Sequence, residues 1–348
     1  MNPPPRAVFR CDASRHIGGG HAIRCLSLAQ ALSNAGWNCK FAVNPGACDT
    51  IPALRRDISE IEVLTHDPCS EAEELMACWP SGVDLLIVDH YGRDVHFEKL
   101  FSSWAKTILA IDDLANRGHA CNLLLDQSLG RRAEDYAALV PSGCRLLMGP
   151  QYALLRPQFS AARSRSLSKR RSIRGIQRIL ISVGAADPDN FTDTALEGIS
   201  LAQLDAEVDV VLGSDEKKST LSERIMELEI DARIHVGVEN MAELMASADL
   251  SIGAAGSTSW ERCALGLPSL IVVTAENQRN IAIELAKVGA AQLLGDVKTV
   301  TSGQIAKALR SLQPEELNTM SIQCAQVCDA QGAARVASIL TNLQNETL

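Results

Sequence analysis

The run VDLLIVDH, residues 83–90, is apolar almost throughout and lacks the alternation of a half-solvated strand. A strand of this kind is buried on both faces, as in a parallel sheet covered by helices on each side. The segments around it keep the same rhythm. AVFRC (7–11) reads as a strand, and HAIRCLSLAQALSNAG after it as a helix, with Cys25, Leu28 and Leu32 on one stripe and Gly36 as its stop. CKFAVN (39–44) and TILAIDD (107–113) are further strands. Strands alternating with helices predict a doubly wound α/β domain.

The rhythm breaks around residues 157–175, where ARSRSLSKRRSIRG is rich in serine and arginine and has no apolar period. It reads as a solvated linker rather than a nucleic-acid patch. The rhythm then restarts with RILISVG (178–184), EVDVVLG (207–213), ARIHVG (232–237), DLSIGA (249–254) and SLIVVT (269–274). A chain of 348 residues is comfortable for two domains. The expected division is 1–160, a linker at 161–175, and 176–348, with the last helix a candidate to pack back on the first domain. Two Rossmann-like domains facing each other across a cleft would let one hold a nucleotide while the other does chemistry, since ligands bind beyond the carboxyl ends of parallel strands.

Bulk composition excludes several classes. Hydrophobic residues are 46% and charged residues 22%, as in a soluble globular protein. The net charge of −9 argues against a nucleic-acid binder, which needs a basic face. The opening MNPPPRAVFR has no apolar signal region, and runs such as LLIV and SLIVV are too short to span a bilayer. The 11 cysteines are scattered, with no CxxC pair and no zinc spacing, so they read as small buried residues of a reducing cytoplasm. Cys324 and Cys328, four apart, would share a helix face. The expectation is a cytoplasmic monomer with no membrane, nucleic-acid or cofactor partner.

Two glycine loops carry the candidate chemistry. In the second, DLSIGAAGSTSWERCALGLP (249–268), Gly253 and Gly256 allow a tight turn before a helix. The exposed N–H groups and dipole of a helix start form an anion site. Ser257 and Thr258 either cap that helix or offer hydroxyls to a diphosphate. Glu261, one turn on, is placed for ribose hydroxyls or is simply a favourable first-turn charge. Glu276, Asn277 and Gln278 in TAENQRNIA (274–282) are a polar cluster suited to sugar or ribose hydroxyls.

The first loop, HIGGGH, fits neither the dinucleotide GxGxxG nor a P-loop, and CKFAVN lacks the acidic residue a dinucleotide fold wants, which weakens an oxidoreductase reading. His16 and His21 flank Gly18, Gly19 and Gly20 without an acidic cluster to complete a metal site. His21 then stands at a helix start, where the dipole favours the neutral base form, as a candidate proton acceptor. A histidine that only hydrogen-bonds a phosphate is the plainer alternative. Asp89, His90 and Tyr91 follow one strand, and Asp112, Asp113, Asn116, Arg117 and His119 follow the next. Any of these carboxylates is also an ordinary helix cap, and spacing does not choose a partner for His21.

RCDASRHIGGGHAIRCLSLA, VDHYGRD, AIDDLANRGHACNLLLDQ, MGPQYALLRPQF, ILISVGAADP and IGAAGSTSWERCALGLPSLIVVTAENQ together resemble the UDP-sugar hydrolase family of pseudaminic acid biosynthesis, from about residue 6 to about residue 290. The resemblance implies a GT-B fold, like that of the N-acetylglucosamine transferase of peptidoglycan synthesis. It further implies a metal-independent, inverting hydrolase of a UDP-linked 2,4-diacetamido-2,4,6-trideoxy sugar. His21 would activate water; Tyr91 and Asp89 would line the sugar pocket; the glycines, with Arg24 and Gly184, would approach the substrate; Ser257, Thr258 and Glu261 would hold the UDP. The chain departs from the family at Ala185 and Ala186, where glycines are expected before Asp187, and at Asn122, where an acid is expected. The alternatives are a GT-B glycosyltransferase, a hydrolase of a related nucleotide-linked amino sugar, and a non-catalytic nucleotide-sugar binder.

Overall fold

A computed structural model describes residues 3–14, 17–64, 70–184, 187 and 189–346. The chain divides into two compact units, Met1–Arg156 together with Gln331–Leu348, and Pro157–Ala330.

Among the described residues the first unit holds seven strands: β1 (Arg6–Cys11), β2 (Asn38–Val43), β3 (Ile61–Val63), β4 (Val83–Asp89), β5 (Ala105–Ile111), β6 (Leu123–Asp126) and β7 (Arg145–Met148). They form a sheet of order β3-β2-β1-β4-β5-β6-β7, every pair parallel. The period of two splits each central strand between two cores. Phe9 of β1 and Leu85 and Ile87 of β4 join one apolar cluster, while Val8, Leu86 and Val88 join the cluster on the other face. That is why 83–90 reads as an unbroken apolar run. The order reverses between β1 and β4, which opens a crevice at their carboxyl ends.

The last helix, Gly332–Glu346, belongs to this first unit rather than to the second. It packs on the helix Gly20–Asn34 and on the turn Pro150–Tyr152. A β-carbon at Gly332 would fall 2.3 Å from the Ala153 carbonyl oxygen, so only glycine lets the helix start approach so closely. The Trp37 indole N–H also bonds Thr341 Oγ1 at 3.0 Å.

The second unit holds β8 (Arg178–Ser182), β9 (Glu207–Leu212), β10 (Ala232–Val236), β11 (Leu250–Ala254), β12 (Ser269–Val273) and β13 (Gln292–Asp296), in the order β10-β9-β8-β11-β12-β13. All pairs are parallel, and the order reverses between β8 and β11. The segment 161–175, expected as a solvated linker, is mostly helix: Pro157–Arg170. Its buried residues Phe159, Ala162, Ser166 and Arg170 lie on one stripe. Its arginines do the work that apolar residues do elsewhere. Arg170 donates to the carbonyls of Met245, Ala248 and Leu265 at 2.7–2.9 Å. Arg163 donates to Ala325 and Cys328 at 2.7 and 2.8 Å, and also to Ala264. These are C-terminal carbonyls of three neighbouring helices, which carry partial negative charge and lack intrahelical partners. Burial pushes the Arg170 guanidinium down to about 10. Among the described residues no helix is long and apolar enough to cross a membrane.

Candidate active site

His21 is the second residue of the helix Gly20–Asn34, which starts where the loop after β1 closes. Gly18 has φ +81°, and its N–H donates to Ser14 O at 2.7 Å. That amide is therefore spent on closing the loop rather than held out to a ligand. The helix begins at Gly19 with no side-chain cap, so the N–H groups of its first turn, from Gly20 onward, have no intrahelical partner. Against Gly19 lies the end of the Ile51 side chain.

Asp89, the last residue of β4, meets His21 from the neighbouring strand. Asp89 Oδ1 lies 2.6 Å from His21 Nδ1. Arg24, one turn beyond His21, clamps the same carboxylate with Nε to Oδ2 and Nη2 to Oδ1, both at 2.6 Å. Its third nitrogen donates to Asp113 Oδ2 at 3.1 Å. Burial would raise the Asp89 carboxyl, but the charge of Arg24 and the hydrogen bonds from Arg24 and His21 more than offset it and hold it well below the usual carboxylate range. An anionic Asp89 accepts from Nδ1–H, which leaves the Nε2 lone pair of a neutral imidazole to take a proton. The Tyr91 ring meets the His21 ring edge-on, with centroids 4.7 Å apart at 85°.

Asp89 is fully buried behind His21, with both oxygens engaged. Arg24 is buried and clamps Asp89 and Asp113. The other strand-end candidates are mostly structural. The Gly92 N–H donates to His90 Nδ1 at 2.8 Å, so His90 carries its proton on Nε2 and gives it to Asp12 Oδ2 at 2.9 Å. Asp112 accepts from Ala115 N, Arg117 and Tyr136 at 2.6–2.9 Å. Asp113 Oδ1 is buried with no hydrogen-bond partner, a feature no sequence pattern marked. Asn122 Oδ1 accepts from Ile108 N at 2.8 Å, which an acid at that position would do equally.

The second unit builds its loop at the end of β11. A β-carbon at Gly253 would lie 2.0 Å from Ser182 O, so glycine is what lets β11 run beside β8 there. Gly256 opens the turn, with Gln278 Nε2 3.4 Å from where its β-carbon would be. Ser257 stands at the start of the helix Thr258–Ala264 and makes no capping bond with its side chain. Ser257 is exposed, Thr258 half-buried and Glu261 buried. Gln278 Oε1 accepts from Thr274 N at 3.3 Å and from Thr274 Oγ1 at 2.9 Å, fixing its amide beside the Gly256 turn. Glu276 and Asn277 are exposed, and Glu276 is held by Arg279 at 3.0 Å. Gly184, at φ +112°, lies two residues beyond β8 and is exposed. Asp187 accepts from Phe191 N and Thr192 N at 2.9 and 2.8 Å, a helix-start role. His16, Ala185 and Ala186 lie outside the described residues. Arg262, unmarked in the sequence, is buried and donates to Ala254 O at 2.7 Å and Ser259 Oγ at 3.0 Å, tying the loop to its helix. Among the described residues no group of three or more His, Cys, Asp or Glu side chains is arranged to hold a metal ion.

Comparison with known proteins agrees with this architecture. Residues 178–336 match the glycosyltransferase family 28 C-terminal domain. The chain is 27% identical over 287 residues, 82% of its length and 97% of the relative's, to the UDP-2,4-diacetamido-2,4,6-trideoxy-beta-L-altropyranose hydrolase of Campylobacter jejuni. It is 26% identical over 280 residues, 77% of its length, to the uncharacterized protein MJ1062 of Methanocaldococcus jannaschii, of which it spans 55%. The solved structure of MurG from Acinetobacter baumannii superposes with a TM-score of 0.67 at 16% identity, covering 97% of this chain and all of that one. The chain is thus an α/β protein of the GT-B fold whose residues 178–336 match the glycosyltransferase family 28 C-terminal domain, and it is similar over most of its length to the Campylobacter hydrolase.

Proposed function

We propose that the protein hydrolyses UDP-2,4-diacetamido-2,4,6-trideoxy-β-L-altropyranose to UDP and the free sugar, inverting the anomeric centre, as a step of pseudaminic acid biosynthesis. The observation that carries this reading is the His21–Asp89 pair at 2.6 Å, built where β1 and β4 part. Similarity to the Campylobacter hydrolase supports the choice of reaction and sugar.

In this reading Nε2 of His21 takes a proton from water as the water oxygen bonds to the anomeric carbon. The bond from that carbon to the diphosphate breaks on the opposite face, and UDP departs with the electron pair. A single displacement inverts the centre. Asp89 fixes the ring and its tautomer and stabilises the imidazolium that forms; Arg24 keeps Asp89 ionised and in place. Tyr91 borders the base edge-on and is the neighbour for a sugar ring. In the second unit the Gly256–Ser257–Thr258 turn supplies amides and hydroxyls for the diphosphate, and Glu261 and Gln278 the contacts to the ribose. No step calls for a metal. The reaction belongs in the cytoplasm, where nucleotide-linked sugars are made.

The family 28 domain supports a second reading, a glycosyltransferase that replaces water with an acceptor sugar. Phosphorus and proton NMR of the protein with the UDP-linked sugar, EDTA and no acceptor separates the two. UDP and a free sugar of inverted configuration are expected. An intact substrate refutes the hydrolase, and cleavage only without EDTA refutes the metal-free mechanism.

A further inference from the structure

Cys121 and Cys144 take no part in the chemistry above. Cys121 lies just before β6, and Cys144 in the turn before β7, where its N–H bonds Pro141 O at 2.9 Å. Their sulfur atoms are 3.7 Å apart, in van der Waals contact across 23 positions of sequence. A disulfide needs the sulfurs at roughly 2 Å, an approach that small rotations of the two side chains and the exposed Pro141–Gly143 turn can supply. Cys121 is buried, whereas Cys144 is half-buried and reachable by a small oxidant.

We propose that Cys121 and Cys144 form a redox-active dithiol, a modification site for oxidants of the peroxide class, with Cys144 the attacking and Cys121 the resolving thiol. Its surroundings suit the task. Cys144 shares a proton with the Cys121 thiol and feels the charge of His119, and both push its own thiol down, while the Cys121 thiol is pushed up in turn. His119 is two residues before Cys121 and stands against Glu98, with Nδ1 2.7 Å from Oε1. A thiolate beside a cation is the reactive form of cysteine. In the first step the Cys144 thiolate takes an oxygen from hydrogen peroxide, giving a sulfenic acid and, with one proton, water. In the second the Cys121 sulfur attacks the sulfenic sulfur, the S–S bond forms, and water leaves with the Cys121 proton. The sum is two thiols and one peroxide to one disulfide and two waters. The bond would tie the connection ahead of β6 to the turn ahead of the edge strand β7.

The test treats the native, reduced protein with a slight molar excess of hydrogen peroxide, alkylates the remaining thiols, and maps peptides by mass spectrometry with and without dithiothreitol. The expected product is a peptide pair joined through Cys121 and Cys144, lighter by two hydrogens and released by the reductant. Cys121→Ser is expected to stop at a Cys144 sulfenic acid trapped by dimedone, and Cys144→Ser to give neither species. Cys121→Ala serves as the second variant if the serine is poorly tolerated in its buried position. The inference is overturned if both thiols of the native protein stay reduced, if other thiols such as the half-buried Cys78 are oxidised first, or if Cys144 passes to sulfinic acid with no linkage. The readout is independent of hydrolytic activity, so it stands or falls apart from the proposed function.

Discussion

Replacing Asp89 by asparagine perturbs both what Asp89 does for His21 and what it does for the fold. The amide can turn its N–H₂ toward Nδ1, which moves the ring proton to Nε2 and removes the lone pair that would accept a proton from water. General-base catalysis contributes about 100- to 10,000-fold, or roughly 3–5 kcal/mol of barrier. Asp89→Asn is therefore expected to lose about that factor in kcat, with the affinity for UDP unchanged. The same change strips the anion from a buried guanidinium that donates twice to Asp89 at 2.6 Å. Removing one partner of such a pair costs about 3–5 kcal/mol of stability; Asp113, at 3.1 Å from Arg24, recovers part of this. Activity and stability fall together in this variant, so neither alone proves a catalytic link. A cycle with His21→Ala does. If Asp89 acts through His21, the double variant is no slower than His21→Ala. UDP release is followed by phosphorus NMR, stability by urea denaturation, and UDP affinity by calorimetry. Multiplying rate losses in the double variant, or near-normal turnover of folded Asp89→Asn or His21→Ala, would refute the assignment of the base.

Four further outcomes follow from packing and charge. Gly253→Ala places a β-carbon 2.0 Å from backbone at Ser182 and is expected to cost about 3 kcal/mol or more in urea denaturation; Gly256→Ala meets only the Gln278 amide, at 3.4 Å, and is expected to weaken UDP binding while leaving the denaturation midpoint nearly unchanged. Burial alone would push the His119 imidazole down, but the Asp112 and Glu98 carboxylates more than offset it and bring it up to about 9. A raised folded-state value stabilises fully below the unfolded value of about 6.5 and fades as pH rises through 9. Urea midpoints are accordingly expected to drop from neutral pH to pH 9–10 by the equivalent of about 2 kcal/mol, with the slope reduced in His119→Gln. Arg163→Met removes the donor to the Ala325, Cys328 and Ala264 carbonyls and is expected to cost about 2–4 kcal/mol by the same assay; a loss below 0.5 kcal/mol would return the segment to the status of a surface linker.

The strands that build the two switch points were readable because each is apolar on both faces: 7–11, 83–90, 178–184 and 249–254 all lie within one residue or two of β1, β4, β8 and β11. The edge strand β10 was also read, at 232–237, but four other peripheral strands were not. β3 has three residues and β6 and β7 four each, too few to show a period, and β13 in AQLLGD carries two polar residues, Gln292 and Asp296, and a glycine at φ +134°. The helix Pro157–Arg170 escaped for a different physical reason. Period-based reading scores arginine as solvent-facing, yet Arg163 and Arg170 point their donors inward at helix C-termini, where a cation is stabilised. The sequence pattern contained the stripe at 159, 162, 166 and 170, but only the carbonyls it meets make that stripe an interior one.

The site shows the same division between what one element specifies and what two elements specify together. His21 was marked by its own neighbours, since a histidine after three glycines at a helix start is locally odd. Its partner was not, because Asp89 is 68 positions away and one of several carboxylates at strand ends. What singles Asp89 out is register. β1 and β4 run parallel with Cys11 opposite Asp89, so the strand end carrying Asp89 sits beside the loop that leads to His21. Arg24 follows from helix geometry, three residues beyond His21 and therefore on its face. Once the register is known, a buried carboxylate between a histidine and an arginine has one coherent role: an anion whose charge the arginine compensates and whose geometry the histidine uses. Asp112 has an arginine and a tyrosine instead, with His119 Nε2 only at 3.9 Å, so it orders a loop. The two aspartates look alike in sequence, and strand pairing alone separates the one paired with His21, the proposed base, from the one that orders a loop.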